Sequence, residues 1–198
     1  MSEIFTIGHS THNFSFFLEL IKKQNISVVV DVRSSPYSGM NPDFNKETLV
    51  GLLKKEGIQY VYLGNELGGR SDNPDFFDSN ERVNYNLLAK TEKFKEGLNR
   101  LEKGVKKGLT VCLMCSEKRP LDCHRSILVA RHLVERQYDV THILEDGKLE
   151  GQKELVDSMI KKEPNTDLFK SEEDQIAEAY DLRASKMAYK KKENKEEW

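Results

Sequence analysis

The sequence predicts an α/β protein in which a mostly parallel five-stranded sheet is flanked by helices, as in Rossmann-like or flavodoxin-like folds, and is followed by a C-terminal helix. Three observations support this prediction. Short apolar, β-branched runs alternate along the chain with segments whose apolar residues recur at helical spacing. Some runs, such as Val28-Val29-Val30, are apolar at consecutive positions, which is typical of strands covered on both faces. Glycine and polar residues follow the runs, as expected where strands end.

Five short apolar runs are the predicted strands. They cover residues 4–7, 26–32, 58–63, 109–114 and 138–144. A run of this length that ends in turn-forming residues is more typical of a strand than of a helix. Because helical segments separate the runs, right-handed crossovers would place the strands in one parallel sheet.

Segments with helical periodicity lie between these strands. They cover residues 14–21, 46–55, 83–103, 123–136 and 150–161. Asn13 is suited to cap the first segment. The segment 83–103 is predicted as one long helix with a break near Gly97, and the polar stretch 70–82 before it as a surface excursion.

The α/β pattern ends near Pro164 and is followed by one amphipathic segment and a charged terminus, so two parts are predicted. Residues 1–163 would form the α/β domain with a cleft at its strand ends, and residues 164–198 a helical extension with a charged tail. Apolar residues recur at helical spacing within 172–189. That face is expected to pack on the domain, with a homodimer or partner contact as the alternative.

Composition limits the classes of function. The 198 residues carry a formal net charge of −2, which gives no global sign of nucleic-acid binding. Net charge does not report how charges are distributed, so it does not exclude a basic cleft on one part of the surface. Three cysteines without a disulfide-type spacing favour a reducing, cytoplasmic location. No apolar run approaches the length of a membrane span, so no membrane association is expected.

Polar residues collect at the predicted carboxyl ends of the strands, where parallel α/β sheets bind ligands. The predicted catalytic residues are His9, His124, Glu117 and Asp31. The predicted ligand-binding residues are Ser10, Arg33, Cys115, Cys123, Arg125 and Ser126. Histidines would transfer protons, and the carboxylates would orient them. This preferred set contains no metal ligand, and the pattern identifies no cofactor.

Residues 123–126 fall in the first turn of a predicted helix, where free N–H groups and the helix dipole favour an anion. Arg125 would add a bidentate phosphate donor, with Arg33 approaching from a neighbouring strand. The structural alternative is an ion pair between Arg125 and Asp31 or Glu117.

The cysteines leave three alternatives open. Cys115, Cys123 and His124 could bind a metal, although their spacing matches no standard zinc pattern. Cys115 could be a thiolate nucleophile, but Arg125 lies too far along the chain for a loop of the cysteine-phosphatase type. The thiols could also have a purely structural role, which is the interpretation favoured for Cys112 within its strand.

Several short motifs resemble, in the same order, the bacterial and archaeal domain-of-unknown-function family number 488. The motifs are Ile7-Gly8-His9-Ser10-Thr11, Val30-Asp31-Val32-Arg33, Leu67-Gly68-Gly69, Cys115-Ser116-Glu117 and Cys123-His124-Arg125. The resemblance extends over residues 4–152 and implies a compact α/β domain with a polar cleft. It brings no assigned reaction, only an association with nucleotides and nucleic acids.

The leading functional hypothesis is therefore a protein that binds or acts on a phosphate-bearing nucleotide or nucleic acid, as a hydrolase or transferase if it is an enzyme. Its partner would be an anionic small molecule or a nucleic acid. One alternative is a non-catalytic ligand sensor. The other is a metal-binding protein that uses Cys115, Cys123 and His124.

Overall fold

The computed structural model describes residues 3–162 and 170–191. Its strands form one sheet with the order β3-β2-β4-β1-β5-β6. They are β1 (Glu3–Gly8), β2 (Val28–Asp31), β3 (Gln59–Tyr62), β4 (Val111–Cys115), β5 (Asp139–Ile143) and β6 (Leu149–Gly151). All pairs among β1 to β5 are parallel, and β6 runs antiparallel to β5. The predicted fold class is confirmed, with a sixth strand added at one edge.

The helices lie between and after the strands. They are α1 (Phe14–Lys23), α2 (Lys46–Lys55), α3 (Gly64–Leu67), α4 (Tyr85–Ala89), α5 (Glu92–Lys106), α6 (Arg131–Glu135), α7 (Gln152–Lys162) and α8 (Glu172–Met187). A π-helical segment, Arg125–Ala130, leads into α6 where an α-helix was predicted. The helix predicted to start at residue 150 begins at Gln152, because the preceding residues form β6.

The prediction of one long helix over 83–103 is wrong. The chain breaks between α4 and α5, where the Thr91 hydroxyl accepts a hydrogen bond from the Phe94 amide at 3.2 Å and so caps α5. Gly97 lies inside α5. A Cβ atom there would lie 2.7 Å from Leu67 Cδ2, so this glycine serves the close contact between α5 and α3.

Two apolar layers cover the two faces of the sheet. Alternate strand residues, including Phe5, Ile7 and Met114, pack with α1 and α2 on one face. The intervening residues, including Ile4 and Leu113, pack with α5, the π-helical segment and the later helices on the other. This arrangement follows from the period of two in a strand, and it explains why consecutive strand residues are apolar.

Helix α8 packs on the α/β domain. Its Tyr180 is 3% exposed and lies in the same apolar layer as the sheet residues. After α8 the chain runs beside Arg82, and the Tyr189 carbonyl accepts a hydrogen bond from the Val83 amide at 2.9 Å. The predicted domain boundary at 163/164 and residues 192–198 of the charged tail predicted from Lys190 lie outside the described residues. Among the residues that are described, no helix has the length and apolar character needed to cross a membrane.

Candidate functional site

The carboxyl ends of three adjacent strands, β2, β4 and β1, bring the predicted site residues to one edge of the sheet. Parallel pairing continues past the strands, since the His9 amide donates to the Cys115 carbonyl at 2.9 Å and the Val32 amide to the Met114 carbonyl at 3.1 Å. The loop after β4 therefore lies between the loops that follow β1 and β2. It returns through a turn at Pro120–Asp122 and enters the π-helical segment.

This return brings together four of the predicted residues, Cys115, Glu117, Cys123 and His124, which we call the Cys/His/Glu cluster. One potential ligand atom from each lies within 4.8 Å of all the others. Both thiols donate to Glu117 Oε2, at 2.8 Å from Cys115 and 3.0 Å from Cys123. The His124 Nδ1 atom lies 3.7 Å from the Cys115 sulfur and 4.0 Å from the Cys123 sulfur.

The His124 ring is oriented by the backbone of the neighbouring strand end. Its Nε2 lies 2.9 Å from the Val32 carbonyl, an acceptor only, so Nε2 carries a proton and Nδ1 faces the sulfurs. A Cβ atom on Gly69 would lie 2.7 Å from the His124 side chain. The ring is thus held between a carbonyl on one side and the glycine segment on the other.

The cluster favours negative charge at two of its members. Burial alone would raise the pKa of Cys123, but hydrogen bonding from Cys115 and the positive charge of Arg125 lower it to about 6. Burial would also raise the pKa of Glu117, yet hydrogen bonds from both thiols lower it to about 2. Burial raises the pKa of the Cys115 thiol well above its usual value. As a thiolate, Cys123 would accept from Cys115 and would no longer donate to Glu117. Against the effect of burial, contacts with Cys123 and Glu117 raise the pKa of His124, which favours a positive charge beside them.

Arg125 lies beneath this loop. It is fully buried, and its terminal nitrogens donate to the Glu117 carbonyl at 2.6 Å and the Lys118 carbonyl at 3.2 Å. Its Nε atom has no partner among the described residues. The amides of Ser126 and Ile127 both donate to the Cys123 carbonyl, so they are not free for a ligand. A ligand-binding role for Arg125 stays a prediction.

Asp31, Arg33 and His9 form a second buried group. Arg33 makes a two-pronged ion pair with Asp31, at 2.9 and 2.6 Å, and its Nη1 atom lies 3.2 Å from His9 Nε2. Tyr60, which was not among the predicted site residues, donates to the same carboxylate at 2.8 Å. Burial and the charge of Arg33 lower the pKa of His9 to about 4, so this histidine is neutral at pH 7. The catalytic roles of His9 and Asp31 stay predictions.

Ser10 and Ser126 lie apart from the cluster. Ser10 has a φ angle of +47°, and its carbonyl lies 3.1 Å from His9 Nδ1. Ser126 is fully buried and donates to Gln152 at 3.0 Å. The Gln152 side chain also forms hydrogen bonds with His142 and Tyr180. Sequence periodicity could not indicate this network, because its members come from four separate elements.

A pocket of about 210 Å³ opens above the cluster. Its lining residues come from the strand-end loops, from α4, and from the end of α8 and the chain after it. They are Arg33, Ser34, Ser35, Gly69, Arg70, Tyr85, Cys115, Ser116, Glu117, Asp122, His124, Met187 and Tyr189. Cys115, Glu117 and His124 thus face a space that a ligand could enter. Arg70, Tyr85, Met187 and Tyr189 were missed from the sequence, since nothing local relates them to the loop after β4.

The fold and site define an open, mostly parallel α/β protein whose strand-end loops hold a buried Cys/His/Glu cluster beneath a polar pocket. The chain belongs to the family described as a domain of unknown function, DUF488, whose model matches residues 13–132. The resemblance seen in the motifs is thereby confirmed. No curated protein and no solved structure matches the chain. The segment that supplies Met187 and Tyr189 to the pocket lies beyond the matched residues.

Proposed function

We propose that this protein binds one zinc ion through Cys115, Cys123 and His124, with Glu117 beside the ion at the pocket as a proton acceptor rather than a fourth ligand, and uses the ion as a hydrolytic centre. The observation that supports the proposal is the mutual approach of four ligand atoms to within 4.8 Å. This is the metal-binding alternative raised by the sequence, extended by a carboxylate.

The distances within the cluster suit tetrahedral zinc. At a tetrahedral angle, bonds of about 2.3 Å to sulfur and about 2.0 Å to nitrogen imply an S···N separation of about 3.5 Å. The two measured separations from His124 Nδ1 are 3.7 and 4.0 Å. Glu117 Oε2 lies closer to the sulfurs, at 2.8 and 3.0 Å, so the carboxylate would move outward as an ion enters. Glu117 is half-buried beside the pocket and has room for that movement.

The surroundings of the ligands also suit a metal. The hydrogen bond from His124 Nε2 to a backbone carbonyl is the outer contact that metal-binding histidines commonly make, because it fixes the ring and leaves the other nitrogen unprotonated. Thiolate and imidazole ligands favour zinc over magnesium and calcium. A divalent cation would neutralise the negative charge that Cys123 and Glu117 concentrate in a buried space.

A centre that faces a pocket is suited to catalysis, since structural zinc sites are usually closed by four protein ligands. Two cysteines and one histidine leave a position for water, as in zinc deaminases, where a neighbouring glutamate that is not a ligand moves the proton. Here Glu117 would take the proton as an O–H bond of water breaks and the oxygen bonds to an electrophilic atom of the substrate. It would then return that proton to the leaving group as the bond between this group and the same atom breaks.

The other predicted residues would position this centre. Arg125 binds the carbonyls of Glu117 and Lys118 and so holds the loop that carries two ligands. The Asp31–Arg33 pair supports the strand end whose Val32 carbonyl orients His124. In this proposal both arginines act through the chain around the ion rather than on the substrate.

Zinc titration of metal-free protein tests the proposal. We expect one equivalent to bind and Co²⁺ to give the sulfur-to-metal charge-transfer and tetrahedral d–d bands of a thiolate site. Cys123→Ser and His124→Gln should each weaken binding at least tenfold, by the loss of a ligand. Cys112→Ala is the matched control, because this buried cysteine lies outside the cluster. Sub-stoichiometric zinc in the wild-type protein, or equal losses in the control, would overturn the proposal.

A further inference from the structure

The pocket above the cluster continues into a second cavity. The first has a volume of about 210 Å³ and the second about 460 Å³, and both are lined by Ser34, Ser35, Arg70 and Tyr189. Together they form one groove, which begins at the cluster and extends along α3 toward Phe76 and Leu88. The combined space is in the range that small organic ligands occupy.

Arg70 lies where the two cavities join. Its guanidinium carbon is 5.0 Å from the centre of the Tyr189 ring, and no carboxylate among the described residues pairs with it. Arg33, the other arginine of the groove, forms an ion pair with Asp31, in which Nη2 lies 2.6 Å from Oδ2. The groove therefore presents one guanidinium that is available to an anion. The second cavity is also lined by Lys93 and by the carboxylates of Asp72 and Glu66, of which Glu66 pairs with Arg100.

Two glycines bring Arg70 to this place. A Cβ atom on Gly68 would lie 2.4 Å from Ser34 Oγ, and one on Gly69 would lie 2.7 Å from His124. Only residues without side chains let this segment touch the β2 loop and the cluster at once. The Arg70 amide then donates to Ser34 Oγ at 3.1 Å, which leaves the hydroxyl proton of Ser34 for a ligand.

Charge indicates which end of the groove receives an anion. In the zinc-loaded state two thiolates would cancel the charge of the ion, and Glu117 would add one negative charge. An anion is therefore disfavoured at the cluster and favoured at Arg70, a guanidinium that can bind phosphate oxygens in a two-pronged manner. The hydroxyls of Ser34 and Ser35 lie at the same junction.

We infer that the groove binds a phosphomonoester that carries an apolar or aromatic group, such as a mononucleotide. Arg70, Ser34 and Ser35 hold the phosphate, and Phe76, Leu88 and Tyr189 line the space for the rest of the molecule. The assignment rests on the proposed function for the position of the reacting group, but the phosphate contact is independent of zinc.

Calorimetric binding of inorganic phosphate and a nucleoside 5′-monophosphate tests this inference. We expect Arg70→Gln to weaken both at least tenfold, in line with the loss of a charge-assisted hydrogen bond, and to leave zinc stoichiometry unchanged. Arg136→Gln is the matched control, because Arg136 pairs with Glu102 and lines neither cavity. The nucleotide should bind more tightly than inorganic phosphate, because the groove extends beyond Arg70.

The outcomes separate this inference from the proposed function. Equal phosphate affinity in the wild-type and Arg70→Gln proteins overturns the anion site, whatever the zinc result. Nucleotide binding no tighter than that of phosphate overturns the ligand class. Phosphate binding that depends on Arg70 in a protein that takes up no zinc supports the anion site and overturns the zinc centre alone.

Discussion

His142 provides a test of the buried network that supports the site. It is fully buried in β5, where Nδ1 lies 2.7 Å from the Thr6 hydroxyl and Nε2 lies 2.6 Å from Gln152 Oε1. The Gln152 amide nitrogen donates to Tyr180 at 2.7 Å, so its oxygen accepts and His142 Nε2 carries the proton. The ring is therefore neutral, with both nitrogens engaged.

The pH dependence follows from this state. Burial first, and then the charge of Arg125, lower the pKa of His142 from 6.5 to about 3. His142 binds a proton more readily in the unfolded chain than in the folded protein. Its contribution to the free energy of unfolding is therefore fully present above about pH 6.5 and is lost as the pH falls toward 3. At about 1.4 kcal/mol for each pH unit in that window, the loss from pH 7 to pH 5 is about 2 kcal/mol.

Urea unfolding at pH 7, 6 and 5, with a chelator to remove metal linkage, measures this loss. We expect His142→Gln to be less stable than the wild-type protein at pH 7, because the Thr6 hydroxyl loses its acceptor, and to lose about 2 kcal/mol less between pH 7 and pH 5. Parallel wild-type and His142→Gln stability curves would refute the reasoning.

Three further outcomes are expected. Removing zinc with a chelator should lower the melting temperature, because loss of a ligand that binds only the native state destabilises that state, and added zinc should restore it. Equal melting temperatures for zinc-saturated and metal-free protein would contradict the proposed centre. Gly69→Ala should displace His124 and weaken zinc binding at least tenfold, measured by competition with a chromogenic chelator. Gly39→Ala is the control and should bind zinc as the wild type does, because the space around Gly39 is open. Equal affinities in the two variants would show that the close approach of Gly69 to His124 is unimportant. Gly8→Ala should destabilise the fold by about 3 kcal/mol or more in urea unfolding, because its Cβ would lie 1.9 Å from the Glu117 carbonyl, and a change under about 1 kcal/mol would contradict this packing.

The fold could be predicted where the signal was local. Runs such as Val28-Val29-Val30 identified strands, and the alternation with helices indicated a parallel sheet. The break at Thr91 was missed because glycine has a low helix propensity, so a break was expected near Gly97. In the structure Gly97 lies within α5, and its lack of a side chain allows the close contact with Leu67. Strand β6 was missed because three residues carry too little periodicity to be recognised.

The candidate site could be predicted in part. The residues of the cluster were all identified, because cysteine, histidine and glutamate are unusual in so short a loop. Their relation was not, since Cys115 and Cys123 meet only after the loop turns back through Pro120–Asp122 and Arg125 binds its carbonyls. A helix start alone predicts an anion site, but here the first amides already have acceptors within the protein.

By itself the sequence determined the alternation of strands and helices, the family and the chemical groups of the loop after β4, because each is a property of neighbouring residues. Only the tertiary structure decided that His124 presents Nδ1 to two sulfurs, that Arg125 supports the loop, and that Tyr189 joins Arg70 beside the pocket. These relations join residues that are distant in the chain, and they exist only after sheet order and loop packing have placed them together.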